Sequence, residues 1–180
     1  MYDILLEESW VQNQGAACTS ACVLAALGAL GAQGLPDLAT ASRFLAGQPF
    51  GAPALLDYVG LPGRRAPLDI RIESLARGHS LKVNARSGVV LLGLSLAPAV
   101  GEILIAHLAW GQEAPARYGT WGWNPLLPST YSTGGHSVVL VAVKGSEWTV
   151  LDPNRPKLQD WPRPGIATAR TSIRPAAAAA

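Results

Sequence analysis

Four residues whose side chains could together cleave an amide bond occur in the order Gln12, Cys18, His136 and Asp152. Cys18 opens a small-residue, apolar stretch that is typical of a helix. His136 opens an apolar run that is typical of a strand, and Asp152 closes the next such run. A thiol at a helix start, an imidazole on one strand and a carboxylate on the next are the parts of a nucleophilic cysteine site. The sequence therefore predicts an enzyme that forms a covalent intermediate on a cysteine.

Each of these side chains has a physical role in such a site. A helix N-terminus and a neighbouring imidazolium lower the pKa of a thiol, which reacts only as the thiolate. The imidazole can then protonate the leaving amine, and a carboxylate or amide fixes its tautomer; Asp152 is the first candidate for this, with Asn154 as the nearby substitute. The oxyanion of the tetrahedral intermediate needs donors, and the backbone N–H of Cys18 and the side-chain amide of Gln12 are candidates.

The segment from Gln12 to Cys22 resembles the nucleophile segment of papain-like cysteine peptidases. The resemblance is strongest to the bacterial branch that includes bacteriocin-leader (double-glycine) peptidases and papain-like secreted effectors. In that branch a Gln six residues before the Cys supplies the oxyanion hole, and a His that opens one strand and an Asp-Pro after the next complete the site. His136 and the pair Asp152–Pro153 match this second half.

The resemblance implies an α+β, papain-like fold. In it an N-terminal helical part carries the Cys helix and packs on an antiparallel sheet that carries the His and the Asp. Two positions depart from the family's pattern: Thr19 follows the nucleophile where papain-like enzymes usually have Gly, and Cys18 and Cys22 are four apart, unlike the C-x-x-C of plant and lysosomal papains.

The remaining cysteine and histidines have simpler interpretations. The residue six before Cys22 is Ala16, which offers no side-chain donor, so the spacing favours Cys18 as the nucleophile. Cys22 is expected to be a buried apolar residue, and two core cysteines without catalysis are the alternative. His79 lies in a turn-like stretch, and His107 is expected on a helix face as a satisfied surface or core histidine.

Composition favours one compact domain, with residues 1–175 forming it and 176–180 a low-complexity alanine tail. A hydrophobic fraction of 49% supplies a core, and a charged fraction of 14% argues against a disordered chain. The net charge of +2 is too small to indicate nucleic-acid binding. Arg outnumbers Lys eleven to three, which is typical of a GC-rich bacterial gene.

The N-terminus has no basic region or long apolar core and so does not match a Sec signal. We expect either a bacterial cytoplasmic protein or export by a route that needs no signal peptide. Residues 89–110 are apolar, but Pro98 and Gly101 divide the run, so it predicts a strand and a helix rather than a membrane span. Two cysteines four apart in a helix do not predict a disulfide.

The pattern of apolar and breaking residues gives a coarse list of elements. The predicted helices are 18–31, 38–45, 52–58, 69–77 and 100–110, and the predicted strands are 89–96, 114–121, 137–143 and 147–152. The short turn 144–146 predicts a hairpin that brings His136 and Asp152 together. Trp121, Trp123 and Tyr131 lie before the histidine and could line a substrate cleft or cap the core.

These observations predict a cysteine peptidase that acts on a protein or peptide substrate through an acyl-thioenzyme. The alternative is a bacterial effector or toxin that uses the same site for deamidation, transamidation or hydrolysis of a non-peptide amide, with an immunity or inhibitor protein as a further partner. A binding module that has lost activity is the third hypothesis. No cofactor, metal, nucleic acid or membrane insertion is expected.

Overall fold

The computed structural model describes residues 2–89, 96–109, 135–162 and 167–176. These residues contain four α-helices, one short 3-10 helix at Leu55–Tyr58 and six strands. The helices are α1 (Asp3–Glu8), α2 (Cys18–Ala29), α3 (Leu38–Ala46) and α4 (Pro67–Gly78). The strands are β1 (Val83–Val89), β2 (Ile103–Ala109), β3 (Gly135–Lys144), β4 (Glu147–Leu151), β5 (Leu158–Pro162) and β6 (Ala167–Pro175).

The six strands form one sheet in the order β1-β6-β2-β3-β4-β5, and every neighbouring pair is antiparallel. The helices pack on one face of this sheet and share a core with the side chains of that face, among them Ile105, Val139 and Ile173. The predicted α+β fold, with a Cys helix packed on an antiparallel sheet, is confirmed.

Helix α2 lies at the centre of this layer and is buried on all sides. Eleven of its twelve residues are buried, which is expected of a helix enclosed by protein rather than of one at a surface. Gly28 faces α1 so closely that a Cβ there would lie 2.9 Å from Ser9. The helix ends before Gly31, whose φ of +99° a glycine adopts without strain.

The predicted helix 100–110 is wrong, because residues Ile103–Ala109 form strand β2. Both faces of this strand are buried: Ile103 and Ile105 contact the helices, whereas Leu104 and Leu108 belong to a second cluster on the other face. A strand that is buried on both faces has no polar alternation, so its sequence cannot be told from a buried helix by periodicity. The same strand places His107 in the core.

Other predicted elements differ in extent. The predicted helix 52–58 is a single 3-10 turn at Leu55–Tyr58. The predicted strand 89–96 shares only Val89 with the observed strand β1. Residues 90–95 and the predicted strand 114–121 lie outside the described residues. The short helix α1 and the strands β5 and β6 were not predicted.

The longest helices in the described ranges, α2 and α4, have 12 residues each, and neither these nor the others there have the length and apolar character that a membrane span needs.

Candidate active site

The hairpin of β3 and β4 brings the predicted histidine and carboxylate to one end of the sheet. In its register Val139 pairs with Leu151, so Asp152 follows opposite Val138. His136 is the second residue of β3, so it lies at the same end of the hairpin as Asp152. A bulge between Leu140 and Ala142 adjusts the register, and the two side chains meet as the hairpin prediction required.

His136 and Asp152 form a buried pair. The Nε2 atom of His136 lies 2.8 Å from Oδ1 of Asp152, with the histidine 5% and the aspartate 0% exposed. The same Oδ1 accepts the backbone N–H of Asn154 at 2.9 Å. The side-chain oxygen of Asn154 instead accepts from Asn13 at 3.1 Å. Of the two candidates for orienting the imidazole, Asp152 is thus the one in contact with it.

Cys18 is the first residue of α2, and it lies against the imidazole of His136. Burial raises the pKa of the Cys18 thiol, but the hydrogen bond and charge of His136, followed by hydrogen bonds of Ser137, outweigh it and the pKa is lowered. Ala17 caps the helix without a side-chain hydrogen bond. Because Cys18 is the first residue of the helix, the positive end of the helix dipole also stabilises a thiolate at this position.

The pKa of the His136 imidazole shifts in the opposite direction. Burial alone would lower the pKa of His136, but hydrogen bonds with Asp152 and Cys18, together with their charges, raise it to about 9. A thiol with a lowered pKa beside an imidazole with a raised pKa favours the thiolate–imidazolium pair at neutral pH. Such a pair is both a nucleophile and a proton donor.

The two cysteines have different environments although they are one helical turn apart. Cys22 is 1% exposed, and its Sγ donates to the carbonyl of Ser137 at 3.3 Å. Burial, followed by the charges of Cys18 and Asp152, raises the pKa of the Cys22 thiol well above its ordinary value. Cys22 is thus the core residue that the sequence predicts, and of the two thiols only that of Cys18 has a lowered pKa.

Gln12 is exposed and lies in a segment that is fixed beside Asp152. The indole N–H of Trp10 donates to the carbonyl of Asp152 at 2.9 Å, and the backbone N–H of Asn13 donates to that of Pro153 at 2.7 Å. These bonds hold both flanks of Gln12 against the chain that follows β4. Its role as an oxyanion donor stays a prediction.

Three predicted cleft residues, Trp121, Trp123 and Tyr131, lie outside the described residues. Across the described ranges, no three His, Cys, Asp or Glu side chains are grouped as a metal ion would require. His107, expected on a helix face, is a buried strand residue with both ring nitrogens hydrogen-bonded.

The sequence did not reveal the polar residues that surround this site. Trp10 and Asn13 contact residues that are more than 140 positions away, so no local pattern marks them. Thr19 and Ser137, joined at 2.8 Å, directly follow Cys18 and His136 in the chain. The presence of Thr19 where papain-like enzymes usually have glycine was the available signal.

No family model matches the chain, and no curated protein matches it. Among solved structures it is similar to a putative C39-like peptidase from Bacillus anthracis, with a TM-score of 0.53 and 12% sequence identity. The match covers 93% of this chain and 96% of that chain. At this identity the likeness concerns the fold alone. The two chains share an α+β fold in which helices pack on an antiparallel sheet.

Proposed function

We propose that this protein is a cysteine peptidase that hydrolyses peptide bonds through an acyl-thioenzyme. The observation that carries the proposal is the buried series Cys18, His136 and Asp152, in which the imidazole contacts the thiol on one side and the carboxylate at 2.8 Å on the other. The fold shared with a C39-like peptidase supports the same conclusion.

In the acylation step the Cys18 thiolate attacks the carbonyl carbon of the scissile bond, and the carbonyl electron pair moves to the oxygen. The backbone N–H of Cys18 and the side-chain amide of Gln12 donate to this oxyanion. The tetrahedral intermediate collapses as the C–N bond breaks, and the imidazolium of His136 gives its proton to the leaving amine. The product is a thioester on Cys18 and a neutral imidazole.

In the deacylation step His136 removes a proton from water, and the oxygen attacks the thioester carbonyl. The C–S bond breaks, the acid product leaves, and the thiolate–imidazolium pair is restored. Asp152 keeps Nε2 protonated throughout, so that the other ring nitrogen stays directed at the sulfur. The carboxylate therefore orients the ring and stabilises its charged form.

The effector alternative passes through the same acyl-enzyme and differs only in the substrate and in the acceptor. Product chemistry distinguishes the two. Incubation with peptides of defined sequence should give two shorter chains by intact mass. A substrate that keeps its length but gains or loses a side-chain group would instead indicate deamidation or transamidation.

Alkylation tests the nucleophile without a known substrate. Iodoacetamide at neutral pH should label Cys18 well before Cys22, because only Cys18 has a lowered pKa. Cys18→Ala should abolish peptide cleavage, whereas the matched variant Cys22→Ala should keep it. Preferential labelling of Cys22, or an active Cys18→Ala enzyme, would overturn the assignment.

Gln12→Ala tests the oxyanion donor. Loss of one such donor removes about 2–4 kcal/mol of transition-state stabilisation, so kcat should fall about 30- to 1,000-fold with little change in KM. Gln14→Ala is the matched control, since Gln14 is also exposed and lies in the same segment. An equal effect of the two variants would show that Gln12 has no special role.

A further inference from the structure

A single turn after β4 carries both the carboxylate of the candidate site and the carbonyls that hold the segment of Gln12. The turn runs from Asp152 to Arg155 and is closed by the backbone N–H of Arg155, which donates to the carbonyl of Asp152 at 2.9 Å. Inside the turn the N–H of Asn154 donates to Oδ1 of Asp152 at 2.9 Å. Pro153 lies at the second position, which its fixed φ favours. Two hydrogen bonds and a proline thus brace this turn.

The N-terminal segment binds the turn from outside, through two donors that flank the predicted oxyanion donor. The indole N–H of Trp10 donates to the carbonyl of Asp152 at 2.9 Å, and the backbone N–H of Asn13 donates to the carbonyl of Pro153 at 2.7 Å. The side-chain N–H₂ of Asn13 also donates to Oδ1 of Asn154 at 3.1 Å. Three hydrogen bonds therefore join two segments that are at least 140 positions apart in the chain.

These bonds determine where the backbone of Gln12 lies. The peptide group between Gln12 and Asn13 is planar, so the bond from the N–H of Asn13 also fixes the carbonyl end of Gln12. Trp10 fixes the chain two residues earlier, and its partly buried ring packs against the helical core. Because Gln12 is itself exposed, its position depends on these anchors at its two sides rather than on packing.

We propose, on the basis of the cysteine-peptidase site above, that Trp10 and Asn13 are positioning residues for the oxyanion donor Gln12. Trp10 binds the carbonyl of the same residue whose carboxylate binds His136, so one turn holds both the oxyanion donor and the imidazole in register. A donor acts on the oxyanion only within about 2.7–3.1 Å of the oxygen, so a shift of this segment by about 1 Å removes much of its effect.

Two reagents distinguish the oxyanion donors from the reactivity of the thiol. In the reaction with p-nitrophenyl acetate, the Cys18 thiolate attacks the ester carbonyl, an oxyanion forms, and the C–O bond breaks with release of nitrophenolate. Iodoacetamide alkylates the same thiolate by displacement of iodide, and no oxyanion forms. The ratio of the acylation rate to the alkylation rate therefore reports the oxyanion donors, because a change in thiol pKa affects both rates.

Trp10→Phe removes the indole N–H and keeps most of the apolar ring. The ratio of acylation to alkylation should fall about fivefold, since one hydrogen bond changes an equilibrium by a factor of about two to ten. The matched control is Trp161→Phe: the indole N–H of Trp161 donates to Gln159 at 3.0 Å, and the residue belongs to the cluster on the other face of the sheet. A merely structural role of Trp10 would lower the melting temperature in both variants and leave the ratio in place.

A double variant tests whether Trp10 acts through Gln12. Gln12→Ala alone should lower the ratio about 30- to 1,000-fold. Adding Trp10→Phe to Gln12→Ala should change the ratio by less than about twofold, because the group that Trp10 positions is gone. A further loss of about fivefold in the double variant, or a native ratio in Trp10→Phe, would overturn the proposal. A shifted pH profile of alkylation in Trp10→Phe would place the effect on Asp152 and His136 and would also overturn it.

If Trp10→Phe does not fold, Asn154→Ala supplies a second test. This variant removes the acceptor of the Asn13 side chain and keeps the backbone N–H that donates to Asp152. The ratio should again fall, and a native ratio would refute the proposal.

The proposed function would fail in a different way. Acylation that is as fast in Cys18→Ala as in the native protein would refute the cysteine site. A native ratio in Gln12→Ala would refute the oxyanion role of Gln12, whatever the result for Trp10→Phe.

Discussion

Replacing Asp152 by Asn and by Ala should separate the charge of this carboxylate from its hydrogen bonds. Its Oδ1 accepts from Nε2 of His136 at 2.8 Å and from the backbone N–H of Asn154 at 2.9 Å, and the side chain is fully buried. An asparagine oxygen at this position can accept both bonds but has no charge. Alanine accepts neither: the buried imidazole of His136 loses this acceptor, whereas the part-buried N–H of Asn154, on an exposed residue, can bind water instead.

The pKa of His136 gives the size of the charge effect. A rise from 6.5 to about 9 corresponds to about 3 kcal/mol of preference for the imidazolium in the folded state. Since Asp152 and Cys18 both contribute, we expect Asp152→Asn to lower the free energy of unfolding by about 1–2 kcal/mol. In Asp152→Ala the loss of the acceptor for the buried imidazole adds about 1–3 kcal/mol.

The pH dependence follows from the direction of the shift. Because the pKa of His136 is higher in the folded state, the stabilisation is complete below pH about 6.5 and is lost as the pH rises through about 9. The difference in unfolding free energy between the native protein and Asp152→Asn should therefore be largest at and below pH 6.5. It should shrink above pH 9, where His136 is neutral in both proteins.

Urea denaturation of the three proteins at several pH values measures these differences. A constant difference between the native protein and Asp152→Asn across this range would refute the reasoning, because the carboxylate would then not stabilise a charged imidazole. Equal losses for Asn and Ala would show that the hydrogen bonds of Asp152 contribute nothing beyond its charge.

Two further predictions concern stability away from the site. Phe50→Gly should raise the free energy of unfolding by about 1 kcal/mol, because Phe50 has a left-handed φ of 54°. The control Phe44→Gly, in the exposed part of α3, should lower it by about 1 kcal/mol, and thermal denaturation compares the two; a loss in both would show that the Phe50 side chain outweighs its strain. Glu73→Ala should cost more than Arg65→Ala, about 1–3 against 1 kcal/mol or less. Glu73 accepts a backbone N–H at 3.0 Å as well as both Arg65 bonds, so equal losses by urea denaturation would contradict this.

Much of the candidate site could be predicted from the sequence because its determinants are local. The residues after Cys18 are rich in alanine and leucine, which have high helix propensity. The turn at Gly145, with φ of +59°, closes a hairpin that brings His136 to Asp152. The α+β order followed from the helical patterns before the strands and from the family resemblance. The assignment of roles to these residues stays a prediction until the experiments above are done.

The tertiary structure decided what depends on pairing between distant strands. The apolar run at Ile103–Ala109 is a strand because β3 and β6 flank it and both of its faces are buried, and its sequence is equally compatible with a helix. That pairing also gives His107 its two hydrogen-bond partners, Ser137 and Thr171, which are 30 and 64 positions away. The local sequence indicates which side chains could react. Only the packed sheet determines which buried hydroxyl groups lie next to them, because those contacts depend on the pairing of strands far apart in the chain.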